Sequence, residues 1–395
     1  MTRTRPLVAH ITTTDMSLEW LLGPQLEAFC REGFEVVGIS APGPFVDAIE
    51  RRGIRHLPLH HATRAVAPAS DVRALLELVE LLRRLRPTIV HTHNPKPGLY
   101  GRVAARVAHV PVIVNTMHGL YAQPDTALPK RALVYGAERT ASMCSHAELV
   151  QNEEDLATLR RIGVPARKLA LLGNGIDLRR FDPTAVTPSD VAAARCELGA
   201  TRDDDLVVGT VGRLVREKGY LEVFDASRQL GSLDRLLEFA VIGGEEHAKA
   251  DTLTPSDLEQ ARIAGVRFLG SRDNVVPLYA GMDLFVLASH REGFPRAAME
   301  AAAMGLPIIA TNIRGCRQVV DDGVTGLLVP PHDARALAEA IGQLAADPVR
   351  RRRFGNAARE KARREFDQQR CIDITLETYR RRMKERSAPL GRPHR

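Results

Sequence analysis

Short apolar runs alternate with longer amphipathic stretches along almost the whole chain. Residues 6–11 (PLVAHI) have the length and composition of a buried strand, residues 18–31 carry apolar side chains at helical spacing, and 34–40 return as a strand. The same alternation continues through 45–52, 54–59, 71–85 and 88–93, and 111–121 runs from an apolar strand into a polar end. A helix at 128–140, a strand-like piece at 141–145 and the stretch 147–161 complete a first series. After a loose helical connector at 184–198, strands are predicted at 206–212, 236–244, 266–270, 283–289 and 327–331, with a helix at 334–345. An arginine-rich helical stretch fills 349–383, and 387–395 reads as a frayed tail. Strand and helix in turn predict an α/β chain with parallel sheets, helices on both faces and binding loops at the strand ends.

One stretch organises the rest. The run DLFVLAS at 283–289 leads into a glycine-bearing loop, and behind that loop the alanine-rich block EGFPRAAMEAAAMGLP is a strong helix former. Pro295 fits the first helical position, which leaves free N–H groups around Gly293, Phe294 and Arg296 facing the loop, a place that attracts an anion. Glu292 and Glu300, with seven residues between them, would repel a diphosphate unless each accepts hydrogen bonds from neutral hydroxyls. Sugars supply such hydroxyls on both sides of a diphosphate. The pattern therefore points to a nucleotide-sugar.

This motif resembles the donor motif of the family-4 retaining glycosyltransferases, and the likeness runs over nearly the whole chain. The resemblance implies a GT-B fold, two doubly wound Rossmann-like domains facing across a cleft. It also implies a nucleoside-diphosphate sugar as donor substrate, no cofactor and no metal. Arg213 and Lys218, in the loop after the strand that ends at Gly212, match the family's phosphate-binding pair. Glu300 is then assigned to the ribose and Glu292 to the donor sugar. Gly270 and Ser271 would border the base. His118, at a strand end before Gly119, matches a histidine that supports the transferred sugar in similar enzymes. Asn174-Gly175-Ile176-Asp177 resembles the crossing between domains, so the expected division is 1–182 for acceptor binding, 183–365 for donor binding, and 366–395 as a helix recrossing to the first domain.

Acceptor contacts are expected on the first domain. Thr13 and Thr14 occupy a loop that is glycine-rich in many relatives, and His93, Asn94 and Lys96 sit at another strand end, before a helix carrying Arg102 and Arg106 on a small-residue face. His91 and His93, two apart on a strand, share a face and have the chemistry of metal ligands, but the sequence offers no obvious third.

Composition narrows the class. At 395 residues two domains are the natural expectation, and 44% hydrophobic with 26% charged residues is a globular balance. Five scattered cysteines without a CxxC pair suggest a reduced cytosolic protein, with neither a disulfide framework nor a zinc site. The opening residues read as a first strand rather than a signal peptide, and no uncharged apolar run approaches the roughly 20 residues that cross a bilayer. The net charge of +7 suits an anionic substrate or an acidic membrane surface. Nucleic acid is not expected, because the arginines are spread over helices without interleaved aromatics. The Arg83-Arg84-Leu85-Arg86 cluster and the helix after Gly98 suggest a peripheral membrane face.

The function that the resemblance implies is transfer of a hexose or N-acetylhexosamine, most readily from a uridine donor with a guanosine donor left open, to a glycan, lipid-linked or small-molecule acceptor. A sugar-nucleotide epimerase of the same fold and a non-catalytic sugar-nucleotide binder are the rivals. A dehydrogenase ranks last, since no GxGxxG follows the first strand of either half.

Overall fold

The computed structural model describes residues 5–65, 67–93, 95–122, 126–231, 237–245 and 251–387. The chain divides into two compact units, Met1–Gly173 with Gln369–Arg395, and Asn174–Gln368. In the first unit, β1 (Leu7–Thr14), β2 (Glu35–Ala41), β3 (Arg55–Pro58), β4 (Ile89–His93), β5 (Val112–Met117), β6 (Ala147–Val150) and β7 (Leu169–Leu171) form one parallel sheet. Their order is β3-β2-β1-β4-β5-β6-β7. The second unit builds a parallel sheet from β8 (Leu206–Val211), β9 (Leu237–Ile242), β10 (Val266–Gly270), β11 (Leu284–Leu287), β12 (Ile308–Thr311) and β13 (Gly326–Val329), in the order β10-β9-β8-β11-β12-β13.

Each sheet is buried on both faces because its strands are apolar at successive positions. Val8 and Val36 pack into one core while Ala9, Ile11 and Val37 pack into another, so neighbouring residues serve opposite faces. In the second unit Val207 and Phe285 face one core, and Val208, Leu284 and Val286 the other. Both strand orders reverse once, between β1 and β4 and between β8 and β11. Loops leaving the carboxyl ends of those strands diverge to opposite faces and open a crevice.

Three expectations need correction. The crossing falls at Gly173–Asn174 rather than after Asp182, because Ile176 and Phe181 are buried in the second unit's core. The piece at 141–145 ends the helix Leu128–Cys144 instead of forming a strand, and 147–161 divides into β6 and the helix Glu153–Arg161. Helical spacing and a short apolar run cannot be told apart by periodicity when only a handful of residues is involved. The final helix, Gln368–Ser387, returns to the first unit, where Ile372, Leu376 and Tyr379 are buried with Val8, Phe29 and Ile89.

Candidate functional site

The crevice of the second unit lies where β8 and β11 diverge. β8 ends at Val211, and the N–H of Gly212 continues the ladder by donating to the Ile242 carbonyl at 2.9 Å. Arg213 follows, and a short turn, Arg216–Lys218, leads to Gly219 at φ +70. A Cβ at Gly219 would stand 1.9 Å from the Ala288 carbonyl oxygen, so only glycine lets this loop touch the end of β11. The contact brings together residues distant in sequence. Lys218 Nζ lies 2.6 Å from Glu292 Oε1, and the Ser289 hydroxyl donates to the same oxygen at 2.8 Å.

From β11 the chain passes Ser289, Glu292, Gly293 and Phe294 and enters the helix Arg296–Ala303. Pro295 is the N-cap rather than the first helical residue, and no side chain caps the helix, so the N–H groups of its first turn are unclaimed by any side-chain cap. Gly315 seats this loop, since a Cβ there would meet the Glu292 carbonyl oxygen at 2.6 Å. Glu300 points back to Tyr279, whose hydroxyl donates to Oε2 at 3.0 Å. Burial pushes the Glu300 carboxyl up, while Arg296, the Tyr279 hydroxyl and Arg180 pull it back. Arg213 is more exposed, 3.9 Å from Glu217. Gly270 and Ser271 close the far side: the Gly270 carbonyl accepts from Gly243 N–H at 3.0 Å, beside the end of β8.

The predicted donor residues thus gather at the carboxyl ends of β8, β10 and β11 in one unit. Sequence reading missed the groups that hold them: Ser289, Tyr279, Gly219, Gly315, and Thr311, whose hydroxyl donates to the Ser289 carbonyl. Their only sequence signal was a glycine or a hydroxyl-bearing side chain.

The first unit differs more from expectation. His10 on β1 is the register partner of His91 on β4, so both rings share a face with His93, two residues on. His93 in turn pairs with Thr116 on β5, two residues before His118. His10 Nδ1 lies 3.0 Å from His93 Nε2, and His93 Nδ1 lies 3.2 Å from His118 Nε2. At the other end, His91 bonds the Tyr379 hydroxyl and the Thr116 hydroxyl, and Tyr379 reaches His10 Nε2 at 3.4 Å. His118 Nδ1 is shielded from solvent and without a hydrogen-bond partner.

Burial holds all four rings neutral. It lowers His10 to about 3, takes His91 and His93 well below the usual histidine value, and lowers His118 to about 4 against the opposing pull of Gln151. The third imidazole that the sequence did not reveal is His10, and one ring nitrogen from each of His10, His91 and His93 lies within 4.8 Å of the others. Each of these nitrogens already serves a hydrogen bond, so a metal there would have to displace existing partners.

The expected acceptor residues are mostly engaged elsewhere. His93 gives both ring nitrogens to other histidines, so its place as an acceptor contact is corrected to a buried link. Lys96 is tied to Asp71 at 2.5 Å and donates to the Thr63 and Ala65 carbonyls, which turns its charge inward. Thr13 is buried, Thr14 lies 3.4 Å from the Ser17 hydroxyl, and Asn94 lies outside the described residues. Arg102 is no surface cation. It is 1% exposed and bridges Glu148 at 2.8 Å and Glu138 at 2.6 Å.

Comparison with known proteins follows the same division. Residues 199–361 match the family model described as Glycosyl transferases group 1, and residues 25–180 match Glycosyltransferase Family 4. The chain is 30% identical over 333 residues to the UDP-Gal:alpha-D-GlcNAc-diphosphoundecaprenol alpha-1,3-galactosyltransferase of Escherichia coli, covering 82% of this chain and 84% of that protein. It is 27% identical over 369 residues to the capsular polysaccharide biosynthesis glycosyltransferase CapM of Staphylococcus aureus, covering 92% and 93%. Among solved structures, Anabaena Alr3699/HepE in complex with UDP and glucose aligns with a TM-score of 0.78 at 20% identity, over 94% of this chain and 98% of that one.

Proposed function

This chain belongs to the family-4 glycosyltransferases and has the two parallel-sheet units of the GT-B fold, and from that premise we propose a retaining transferase that draws a hexose or N-acetylhexosamine from a UDP-sugar. The observation that carries the reading is the meeting of Lys218 with Glu292 at 2.6 Å at the switch point of the second sheet. A mobile ammonium held by a carboxylate there can exchange that partner for a phosphate oxygen. Glu292 is then released to accept from sugar hydroxyls.

In this proposal the diphosphate lies between Arg213, Lys218 and the uncapped first turn at Arg296, which stabilise the charge that grows as the bond from the anomeric carbon to phosphate breaks. Glu300, braced by Tyr279, accepts from the ribose hydroxyls. The acceptor oxygen attacks from the side that the diphosphate leaves, and the departing phosphate takes its proton, so no separate protein base is required. The cations that meet the phosphates are side chains, and no metal is assigned to that step.

The E. coli relative acts, by its name, on a diphosphoundecaprenol-linked sugar. A lipid-linked acceptor is accordingly proposed here, with the enzyme working at a membrane surface. No helix among the described residues is long and apolar enough to cross a membrane. The helix Pro68–Leu85 exposes Val72 and Leu76 and ends in exposed Arg83, Arg84 and Arg86, a set suited to anionic headgroups. Cosedimentation with anionic vesicles at low salt, absent for neutral ones, is the expected result.

The donor reading is tested by a thermal-shift screen over nucleoside diphosphates, followed by transfer kinetics for Arg213→Ala, Lys218→Ala and Glu300→Ala. Stabilisation by UDP and a fall in kcat of about 100-fold or more for Lys218→Ala are expected. Near wild-type transfer by all three variants would refute the site. Anomeric configuration of the product, read by NMR, decides retention.

A further inference from the structure

Three metal-ligating side chains converge on the second unit beside the donor residues, yet take no part in holding them. Glu222 stands in the first turn of the helix Tyr220–Leu230, His290 in the loop after β11, and His332 in the loop after β13. One ligand atom from each lies within 4.8 Å of the others. Glu222 Oε1 is 2.8 Å from His290 Nε2 and 3.4 Å from His332 Nδ1, and the two imidazole rings lie 3.8 Å apart between centroids.

These spacings match a donor set. Metal-ligand bonds of about 2.0–2.2 Å in a tetrahedral shell place neighbouring ligand atoms roughly 3.3 Å apart, which small side-chain adjustments would reach here. Two imidazoles and one carboxylate form a common three-ligand shell for a borderline divalent ion, with a fourth position left to solvent. Two further observations point the same way. Glu222 Oε2 is buried with no hydrogen-bond partner, an acceptor without a donor. His332 holds φ +60, a left-handed backbone uncommon outside glycine, and its ring lies against that of His290.

We propose that Glu222, His290 and His332 form a binding site for a divalent transition-metal ion, zinc foremost, that fastens the start of one helix to two strand-end loops. The ion is not a catalytic group. His290 N–H donates to the Glu217 carbonyl at 2.8 Å, so the same loop already touches the turn that carries Lys218. Glu292 lies two residues beyond His290. A bound ion would hold the first turn of the Tyr220–Leu230 helix, the Glu292 loop and the β13 exit in one arrangement, with neutral imidazoles and an ionised carboxylate as its ligands. The effect on donor binding rests on the donor site proposed above. The metal site itself does not.

The test strips the full-length protein with a chelator and titrates zinc against a chromophoric competitor, with thermal shift in parallel. One equivalent bound to the wild type is expected, along with a higher Tm. His332→Ala removes an exposed side chain and should leave the metal-free Tm unchanged while weakening zinc binding by more than about tenfold, and Glu222→Gln should weaken it likewise. Absence of binding to the wild type overturns the proposal. Equal binding by both variants does so too, and would place the ion at His10, His91 and His93 instead. UDP stabilisation measured with and without zinc keeps the two readings apart: a UDP response without any zinc site sinks this proposal alone, and zinc binding without a UDP response sinks the donor site alone.

Discussion

Four imidazoles, His10, His91, His93 and His118, stay unprotonated in the folded first unit because burial opposes their charge. In the unfolded chain a histidine takes up a proton near pH 6.5, so between that value and about 4 the unfolded state binds more protons and stability rises with pH. Stability is complete above pH 6.5 and is lost as the pH falls toward about 4, at about 1.4 kcal/mol per pH unit for each ring. Thermal unfolding should therefore show Tm dropping between pH 6.5 and 5, with a shallower drop in His118→Gln. A flat profile would contradict the buried array. Arg102 gives a second residue-scale prediction. Arg102→Met strands Glu138 and Glu148 without their cation and should cost about 3–5 kcal/mol in urea unfolding. The sequence marked His91, His93 and His118 singly but not their union with His10, nor the ion pairs of Arg102, whereas it marked Glu292, Glu300, Arg213 and Lys218 as one candidate set. The acidic pair shows in a local spacing and the basic pair in one loop, while His10 meets His93 and Arg102 meets Glu148 only through strand pairing.

At the scale of elements, function depends on loops pressed against strand ends. Gly219 is the point of contact between the turn carrying Lys218 and the end of β11, and its φ of +70 combines with a carbonyl 1.9 Å from where a Cβ would stand. Gly219→Ala should push the two apart, destabilise the second unit by at least about 1 kcal/mol, and raise KM for the donor more than the stability loss alone explains. Calorimetry and donor kinetics on one preparation check both parts. Unchanged KM would mean that the Lys218 loop finds its place without this contact. The sequence showed the helix after Glu292 but misplaced Pro295 by one position, since a proline satisfies the first helical position and the cap almost equally well.

For the molecule as a whole, the two units have separate cores, and the last helix belongs to the first of them. Cys371, Ile372, Leu376 and Tyr379 are buried in that core, and Tyr379 also closes the histidine array. Truncation after Asp367 should therefore expose amides of the first unit to hydrogen exchange while those of β8 to β13 stay protected. Equal loss of protection in both units would show that they unfold as one. Spacing alone showed only that the C-terminal stretch is helical, its return being an expectation from the resemblance, and Asn, Gly and Asp mark a turn near 174–177 without saying which core the next residue joins.

What the sequence determined by itself was the alternation of strand and helix, the division into two parallel-sheet halves, and the short-range chemistry of the Glu292 to Glu300 stretch. These follow from periodicity and spacing, which are properties of neighbouring residues. Only the tertiary structure decided that Lys218 meets Glu292, that His10 completes an imidazole array, that Arg102 is an interior cation, and that Glu222, His290 and His332 converge. Each of those depends on strand order and register, which bring residues far apart in the chain to the same sheet end, and no local pattern encodes which strand becomes whose neighbour.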